Sequence, residues 1–173
     1  EYNGATWSAG GNLATARWQL AGAGTQTAGL AMGGSYFGAG PQTCTEEYNG
    51  ATWSTGGALS KAKENHAGAG SQNAALAIGG DYFTTLLDCT EEYNGAAWST
   101  GGALATARRY LAGAGTQNAA LAFGGYNNGV LSCTEEYNGA TWSTAGVGAL
   151  ATARNFLAGA GTQTAGLAFG GSG

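Results

Sequence analysis

One segment of seven residues occurs four times along the chain, and this repetition constrains the fold more than any other sequence feature. Glu1–Trp7 reads EYNGATW, and closely similar copies begin at Glu47, Glu92 and Glu136. Their spacing of about 45 residues is typical of one supersecondary unit repeated in tandem. We therefore expect a single domain over residues 1–173. Its repeats run over approximately 1–34, 35–80, 81–125 and 126–171, and the first and last share one unit.

Each unit carries the signals of four short antiparallel strands separated by glycine. In one unit, Leu111–Gln117 and Asn118–Phe123 are stretches of mostly small residues, and the second ends at a Gly pair. Asn138-Gly139 indicates a two-residue hairpin turn in which both residues have a positive φ, and a strand follows it. Because 34 of the 173 residues are Gly, helices are disfavoured. The sequence predicts an all-β protein built from propeller blades. A silk-like or solenoid stack of strands is the alternative.

The units resemble the kelch repeat, which also forms the blades of the central domain of galactose oxidase. The resemblance rests on apolar residues before the Gly pair at 124–125, followed by Glu136-Tyr137, then Trp142 and then Arg154. It covers nearly the whole chain, although the period is shorter than the ~50 residues typical of kelch. A kelch-like β-propeller of four blades is therefore expected, with the ring closed by joining the N- and C-terminal strands. A larger ring made from two chains is the alternative.

The aromatic residues of the repeated segment are expected to pack in the core of the blades. These residues are Tyr2, Tyr48, Tyr93, Tyr137, Trp7, Trp53, Trp98 and Trp142.

The repeats differ in two zones, and the alternation of turns in an antiparallel meander puts both zones on one end of the blades. One zone is a trio at 18–20, 64–66, 109–111 and 155–157, and the other is the loop after each Gly pair, at 35–43, 81–88 and 126–132. Both zones are rich in the aromatic and basic residues that dominate binding hot spots. We expect these zones to form a ligand-binding face. Its residues are Trp18, Tyr36, Tyr82, Arg109, Tyr110, Tyr126 and Phe156.

A basic residue precedes each trio and is expected to contribute to the floor of the same face. These residues are Arg17, Lys63, Arg108 and Arg154. The kelch resemblance implies that residues at this end often take part in ligand recognition. The alternative is that each cation only pairs with a nearby Glu or with a carbonyl at a strand end.

The residue types that catalysis would need are scarce. Copper in a nitrogen and oxygen site favours imidazoles, and the single histidine, His66, stands where the other repeats have Leu. We interpret it as a packing variant. Adjacent glutamates such as Glu46 and Glu47 point to opposite faces of a strand, which is wrong for an acid and base pair. We predict no catalytic residue, no cofactor and no metal.

Three cysteines occupy equivalent positions, one in each of three repeats. They are Cys44, Cys89 and Cys133. Equivalent points on separate blades are held apart, which disfavours a shared zinc ion, and an odd number disfavours a disulfide framework. We expect three reduced, buried and poorly reactive thiols.

The net charge of −4 argues against a nucleic-acid partner held by phosphate contacts, and no apolar run approaches the ~18 residues of a membrane-spanning helix. We therefore expect a non-catalytic binding or assembly module that recognises a glycan or a protein partner. A homo-oligomer or larger assembly is compatible with the repeats. Two alternatives stay open: a fragment of an enzyme related to galactose oxidase or sialidase, and a structural repeat domain of a phage or bacterial surface assembly.

Overall fold

The computed structural model describes residues 1–173, which form strands and turns but no helix, so no helix that could span a bilayer is present. The strands are β1 (Ala21–Thr25), β2 (Ala28–Met32), β3 (Ser35–Tyr36), β4 (Gly40–Pro41), β5 (Thr45–Tyr48), β6 (Trp53–Thr55), β7 (Ala67–Ser71), β8 (Ala74–Ile78), β9 (Asp81–Tyr82), β10 (Thr85–Leu86), β11 (Thr90–Tyr93), β12 (Trp98–Thr100), β13 (Ala112–Thr116), β14 (Ala119–Phe123), β15 (Thr134–Tyr137), β16 (Trp142–Ser143), β17 (Asn155–Thr162) and β18 (Ala165–Ser172).

Three antiparallel sheets of four strands follow one another along the chain, in the orders β1-β2-β5-β6, β7-β8-β11-β12 and β13-β14-β15-β16. The hairpin β17-β18 repeats the first two strands of such a sheet, and β3-β4 and β9-β10 are short hairpins in the variable loops. The prediction of an all-β, antiparallel protein is confirmed. A single bridge between Tyr2 and Trp7 repeats the pairing of Tyr137 with Trp142.

The predicted turn at Asn138-Gly139 is wrong in its detail. Tyr137 pairs directly with Trp142, so the turn spans residues 138–141 rather than two residues. Only Gly139 has a positive φ, of 88°. The Asn138 side-chain oxygen accepts hydrogen bonds from the N–H groups of Ala140 and Thr141. An Asx-type cap therefore closes this turn, and the Asn backbone keeps an ordinary conformation.

The hydrophobic core lies between consecutive sheets. One cluster joins Leu76 and Ile78 of β8 to Tyr137 and Trp142 of the following sheet, and equivalent clusters lie on either side of it. The first strands of the sheets approach one another through glycine. A Cβ at Gly113 would lie 2.8 Å from the Gly68 carbonyl oxygen, and one at Gly159 would lie 2.7 Å from the Gly113 carbonyl oxygen. The alternating Ala and Gly residues of these strands therefore set the close spacing between sheets.

Side chains of each sheet also hydrogen-bond to the preceding sheet. The Tyr137 hydroxyl donates to the Glu92 carboxylate over 2.6 Å, and the Trp142 indole donates to the Thr90 hydroxyl over 2.9 Å. The Gln163 amide donates to the Tyr137 carbonyl over 2.7 Å. The same tyrosine bond recurs at Tyr48 and Tyr93, and the same glutamine bond at Gln72 and Gln117.

The expectation that all the repeated aromatics are buried is wrong at the N-terminus. Tyr93 and Tyr137 have no solvent exposure, whereas Trp7 is 80% exposed and Tyr2 is 47% exposed. The reason is that no sheet packs over Tyr2 and Trp7. β18 likewise pairs with β17 alone. The terminal strands thus do not pair with each other, and closure into a four-bladed ring stays a prediction.

Candidate functional site

The two variable zones meet at one end of the sheets, as the alternation of turns predicts. The first residue of each trio bridges the first residues of the loop that follows the Gly pair: Trp18 pairs with Ser35, Glu64 with Asp81, and Arg109 with Tyr126. In the last repeat, Asn155 pairs with Ser172 in the same way. The two zones therefore lie side by side at the end of each sheet.

The middle residue of every trio has the left-handed backbone conformation, with φ between 52° and 57°. These residues are Gln19, Asn65, Tyr110 and Phe156. Their peptide groups form a series in which Asn65 N–H donates to Gln19 C=O, Tyr110 to Asn65, and Phe156 to Tyr110, over 2.9 to 3.0 Å. Bulky residues rarely adopt a positive φ. Such strained positions persist where the surrounding structure holds them, and they are concentrated at ligand sites.

The middle and last residues of the four trios line an open groove of about 250 Å³. The lining residues are Gln19, Leu20, Asn65, His66, Tyr110, Leu111, Phe156 and Leu157. The Tyr110 and Phe156 rings stack with their centroids 3.9 Å apart and their planes 28° apart. Phe156 is 62% exposed. The groove thus has an exposed aromatic wall and amide groups at its other end.

A charged pair adjoins this aromatic wall. The Arg109 guanidinium donates to the Asp81 carboxylate over 2.9 Å, and the Asn65 amide donates to the other Asp81 oxygen over 2.8 Å. The guanidinium carbon also lies 4.8 Å from the centre of the Tyr110 ring and 5.7 Å from that of Tyr126. The hydrogen bond to buried Asp81 raises the pKa of Arg109, against the opposing effect of desolvation, so the guanidinium keeps its charge beside the groove.

The predicted cationic floor is wrong for three of its four members. The side chains of Arg17, Lys63 and Arg108 have no solvent exposure. Each one instead forms an ion pair with the inward-facing glutamate of its sheet, and these glutamates are Glu46, Glu91 and Glu135. The alternative reading, structural pairing with a nearby Glu, is confirmed for these three residues.

The reason is electrostatic: a buried carboxylate needs a partner of opposite charge and hydrogen-bond donors. Burial raises the pKa of Glu91, but the charge of Lys63 and the hydrogen bonds from Ser60 outweigh it and lower the pKa overall. Arg154 differs from the other cations, because its guanidinium donates to the Gly170 carbonyl over 2.9 Å in an exposed position.

Four of the predicted site residues form one contiguous cluster: Arg109, Tyr110, Tyr126 and Phe156. Trp18, Tyr36 and Tyr82 lie on the same end but outside this cluster, where Trp18 and Tyr82 are exposed and Tyr36 is half-buried. Sequence reasoning missed Gln19, Asn65 and Asp81 as site residues. Their position at the junction of the two variable zones was the available signal.

His66 is a packed residue, as its replacement of Leu indicates. It is 6% exposed, and neither ring nitrogen has a hydrogen-bond partner. Burial, together with the charge of Lys63, lowers the pKa of His66 to about 3. The imidazole is therefore neutral at physiological pH. No group of three His, Cys, Asp or Glu side chains is arranged to hold a metal ion.

The three cysteines are free, but they are half-buried rather than fully buried. Each one immediately precedes the third strand of its four-stranded sheet (β5, β11 or β15). The chain is only partly covered at this position. The Cys133 sulfur lies 3.1 Å from an Arg108 nitrogen, and the Cys89 sulfur lies 3.5 Å from the Lys63 ammonium.

The groove can bind a flat or half-apolar ring against Tyr110 and Phe156 and can offer charged and amide hydrogen-bonding groups beside it.

The chain matches no protein-family model and no curated protein.

Proposed function

We propose that this protein is a non-catalytic binding module of the kelch-like propeller type and that the groove formed by the four trios binds a glycan. The observation that carries the proposal is the stack of half-buried Tyr110 on exposed Phe156 beside the Arg109–Asp81 pair. Sugar rings present an apolar face and a rim of hydroxyls. An aromatic platform flanked by guanidinium and amide groups complements both features.

The backbone of the groove supports the same proposal. A left-handed conformation at Tyr110 and Phe156 costs on the order of 1–3 kcal/mol each. Ordinary turns could avoid this cost with Gly or Asn at the same positions, and the second repeat does have Asn65 there. Large aromatic residues at strained and solvent-facing positions are therefore explained better by binding than by folding.

A protein partner is the second candidate, favoured by the aromatic residues of the loops. Phe37 is 95% exposed and Phe83 is 54% exposed, and both lie on the end that carries the groove. Exposed aromatics of this kind are typical anchors of protein interfaces. Catalysis is not part of the proposal, because the groove contains no nucleophile paired with a base.

The test is a binding screen of the purified protein against a glycan array and a peptide array, with two matched variants. Tyr110→Asn removes the ring and installs the residue that the second repeat has at the same backbone conformation, so folding should be retained. Thr141→Ala lies in a turn at the opposite end and installs the residue found at position 97 in the third repeat. We expect a glycan hit that Tyr110→Asn abolishes and Thr141→Ala preserves. Hits on peptides alone would favour the protein partner, and a glycan hit unaffected by Tyr110→Asn would place the site elsewhere.

A further inference from the structure

We infer that the two ends of the repeat series bind each other between molecules, so that residues 1–8 of one chain complete the blade begun by β17-β18 of a second copy of this chain. The two exposed ends carry the two halves of the interface that joins consecutive repeats inside the chain. This inference does not depend on the proposed function or on the ligand of the groove.

The C-terminal half of the interface has vacant acceptors. β2, β8 and β14 each pair with a further strand, whereas β18 has an unpaired outer edge. Beside it lies a cavity of about 240 Å³ lined by Thr134, Glu136 and Leu167, among others. Thr134 and Glu136 correspond to Thr90 and Glu92, which accept bonds from the Trp142 indole and the Tyr137 hydroxyl. Neither Thr134 nor Glu136 has such a donor in the described chain.

The N-terminal half of the interface has the matching donors. Tyr2 and Trp7 correspond to Tyr137 and Trp142 and have the same mutual arrangement, with ring centroids 5.3 Å apart against 4.8 Å. Both are exposed. By the pattern of the inner repeats, the Tyr2 hydroxyl would donate to Glu136 of the second copy, and the Trp7 indole would donate to its Thr134.

Two further donors beside this N-terminal segment lack partners. Gln72, Gln117 and Gln163 each donate to two carbonyls of the preceding sheet. The equivalent Gln26 makes no hydrogen bond and lines a cavity of about 380 Å³ with Tyr2 and Trp7. Gln19 is the first residue in the series of peptide hydrogen bonds that joins the trios, and its N–H has no acceptor. Phe156 of a second copy would supply the next carbonyl of that series.

A second copy is favoured over closure within one chain, because the two ends do not pair with each other in the structure. An exposed strand edge is a template for pairing with another chain. A head-to-tail contact of this kind uses two different surfaces, so it generates a ring if the rotation closes and a filament if it does not.

The sharpest variant is Gly22→Ala. In the isolated chain a Cβ at Gly22 would have only the Leu30 carbonyl oxygen near it, at 3.6 Å, which is an ordinary contact. The equivalent residues Gly113 and Gly159 face the carbonyl of the preceding repeat at 2.8 and 2.7 Å. Gly22 would face the Gly159 carbonyl of the second copy in the same way, so Gly22→Ala should fold normally and block association. Gly129→Ala is the matched control, because open space surrounds Gly129 and its φ is not positive.

The experiment is sedimentation velocity over a range of protein concentrations for the wild type, Gly22→Ala, Trp7→Ala and Gly129→Ala. We expect concentration-dependent association of the wild type and of Gly129→Ala. The dissociation constant should rise at least about tenfold for Gly22→Ala and Trp7→Ala, with thermal melting unchanged at concentrations where all are monomeric. A wild type that stays monomeric, or Gly22→Ala and Trp7→Ala proteins that associate as the wild type does, would overturn the inference. A monomer in which Trp7→Ala lowers the melting temperature would instead indicate closure within one chain.

Discussion

The hydroxyl of Tyr137 donates a 2.6 Å hydrogen bond to the carboxylate of Glu92, which lies in the preceding repeat. Tyr93 makes the same bond to Glu47 over 2.5 Å. Burial, with the adjacent carboxylate as the second cause, raises the pKa of Tyr137 above its usual value, so the phenol remains the donor over the whole neutral range. These pairs connect one sheet to the next.

We predict that Tyr137→Phe lowers the free energy of unfolding by about 1.5 kcal/mol, because a hydrogen bond to a charged acceptor is lost. Tyr2→Phe is the matched control, since Tyr2 has the same place in its repeat but makes no hydrogen bond to a carboxylate within the chain. Urea unfolding, followed at concentrations where the protein is monomeric, measures both. Equal losses for the two variants would contradict the role of the Tyr137–Glu92 bond.

A second prediction concerns the buried pair of Arg108 and Glu135, whose side chains have no solvent exposure. Glu135→Leu alone should cost about 3–5 kcal/mol, because it leaves the guanidinium buried without its carboxylate. The double variant Arg108→Met, Glu135→Leu should recover most of this loss. Arg154→Met, which removes an exposed guanidinium, serves as the control and should change little. A double variant as unstable as the sum of its two single variants would show that the two residues act independently.

His66 should make stability depend on pH in the acidic range. The folded pKa of about 3 lies below the usual 6.5 because of burial and, secondarily, the charge of Lys63. Between these values the unfolded chain binds a proton that the folded chain does not, so stability falls as the pH falls, by up to about 1.4 kcal/mol per pH unit. Above pH 6.5 the residue is neutral in both states and contributes no slope.

The variant His66→Leu should flatten this dependence, and it installs the residue of the other three repeats. It should also stabilise the protein at pH 7, because two buried nitrogens without partners are removed. Unfolding free energies at pH 4, 5, 6 and 7 test both points. An unchanged difference between pH 7 and pH 5 in the variant would exclude His66 as the source of the slope.

The cysteines should react slowly in the native protein and quickly after denaturation, since all three are partly covered. Labelling with a thiol reagent before and after denaturation, followed by peptide mapping, measures the rate at each cysteine. Native labelling as fast as that of the denatured protein would contradict the partial coverage of the thiols.

Much of the fold can be predicted from the sequence because the same residue pattern occurs four times. The alternation of small apolar residues, the Gly pairs and the Tyr and Trp positions indicate four antiparallel strands, and the alternation of turns brings the variable zones together. The opposite orientation of Glu46 and Glu47 is also predictable, since neighbouring residues of a strand face opposite sides. Glu46 meets buried Arg17, and Glu47 accepts the bond from Tyr93.

Other features depend on tertiary geometry that the pattern does not specify. Three of the cations precede surface trios: Arg17, Lys63 and Arg108. Their side chains point inward because the glutamates that they pair with are buried, and the sequence does not show this burial. The left-handed backbone at Tyr110 and Phe156 contradicts the local preference of these residues. Among the four equivalent residues, only Asn65 is of a type that indicates a left-handed conformation. The curvature that decides whether the ends meet arises from small rotations between sheets, which no residue pattern encodes.

The division between a repeated framework and a variable binding face is the central claim, and one paired measurement tests it directly. Melting temperature and affinity for the ligand found by the array screen are measured on the wild type, Tyr110→Asn and Tyr137→Phe. We predict that Tyr110→Asn keeps the melting temperature and loses binding, whereas Tyr137→Phe lowers the melting temperature and keeps binding below it. A Tyr110→Asn protein that binds as the wild type does, or that loses binding only because it unfolds, would contradict the claim.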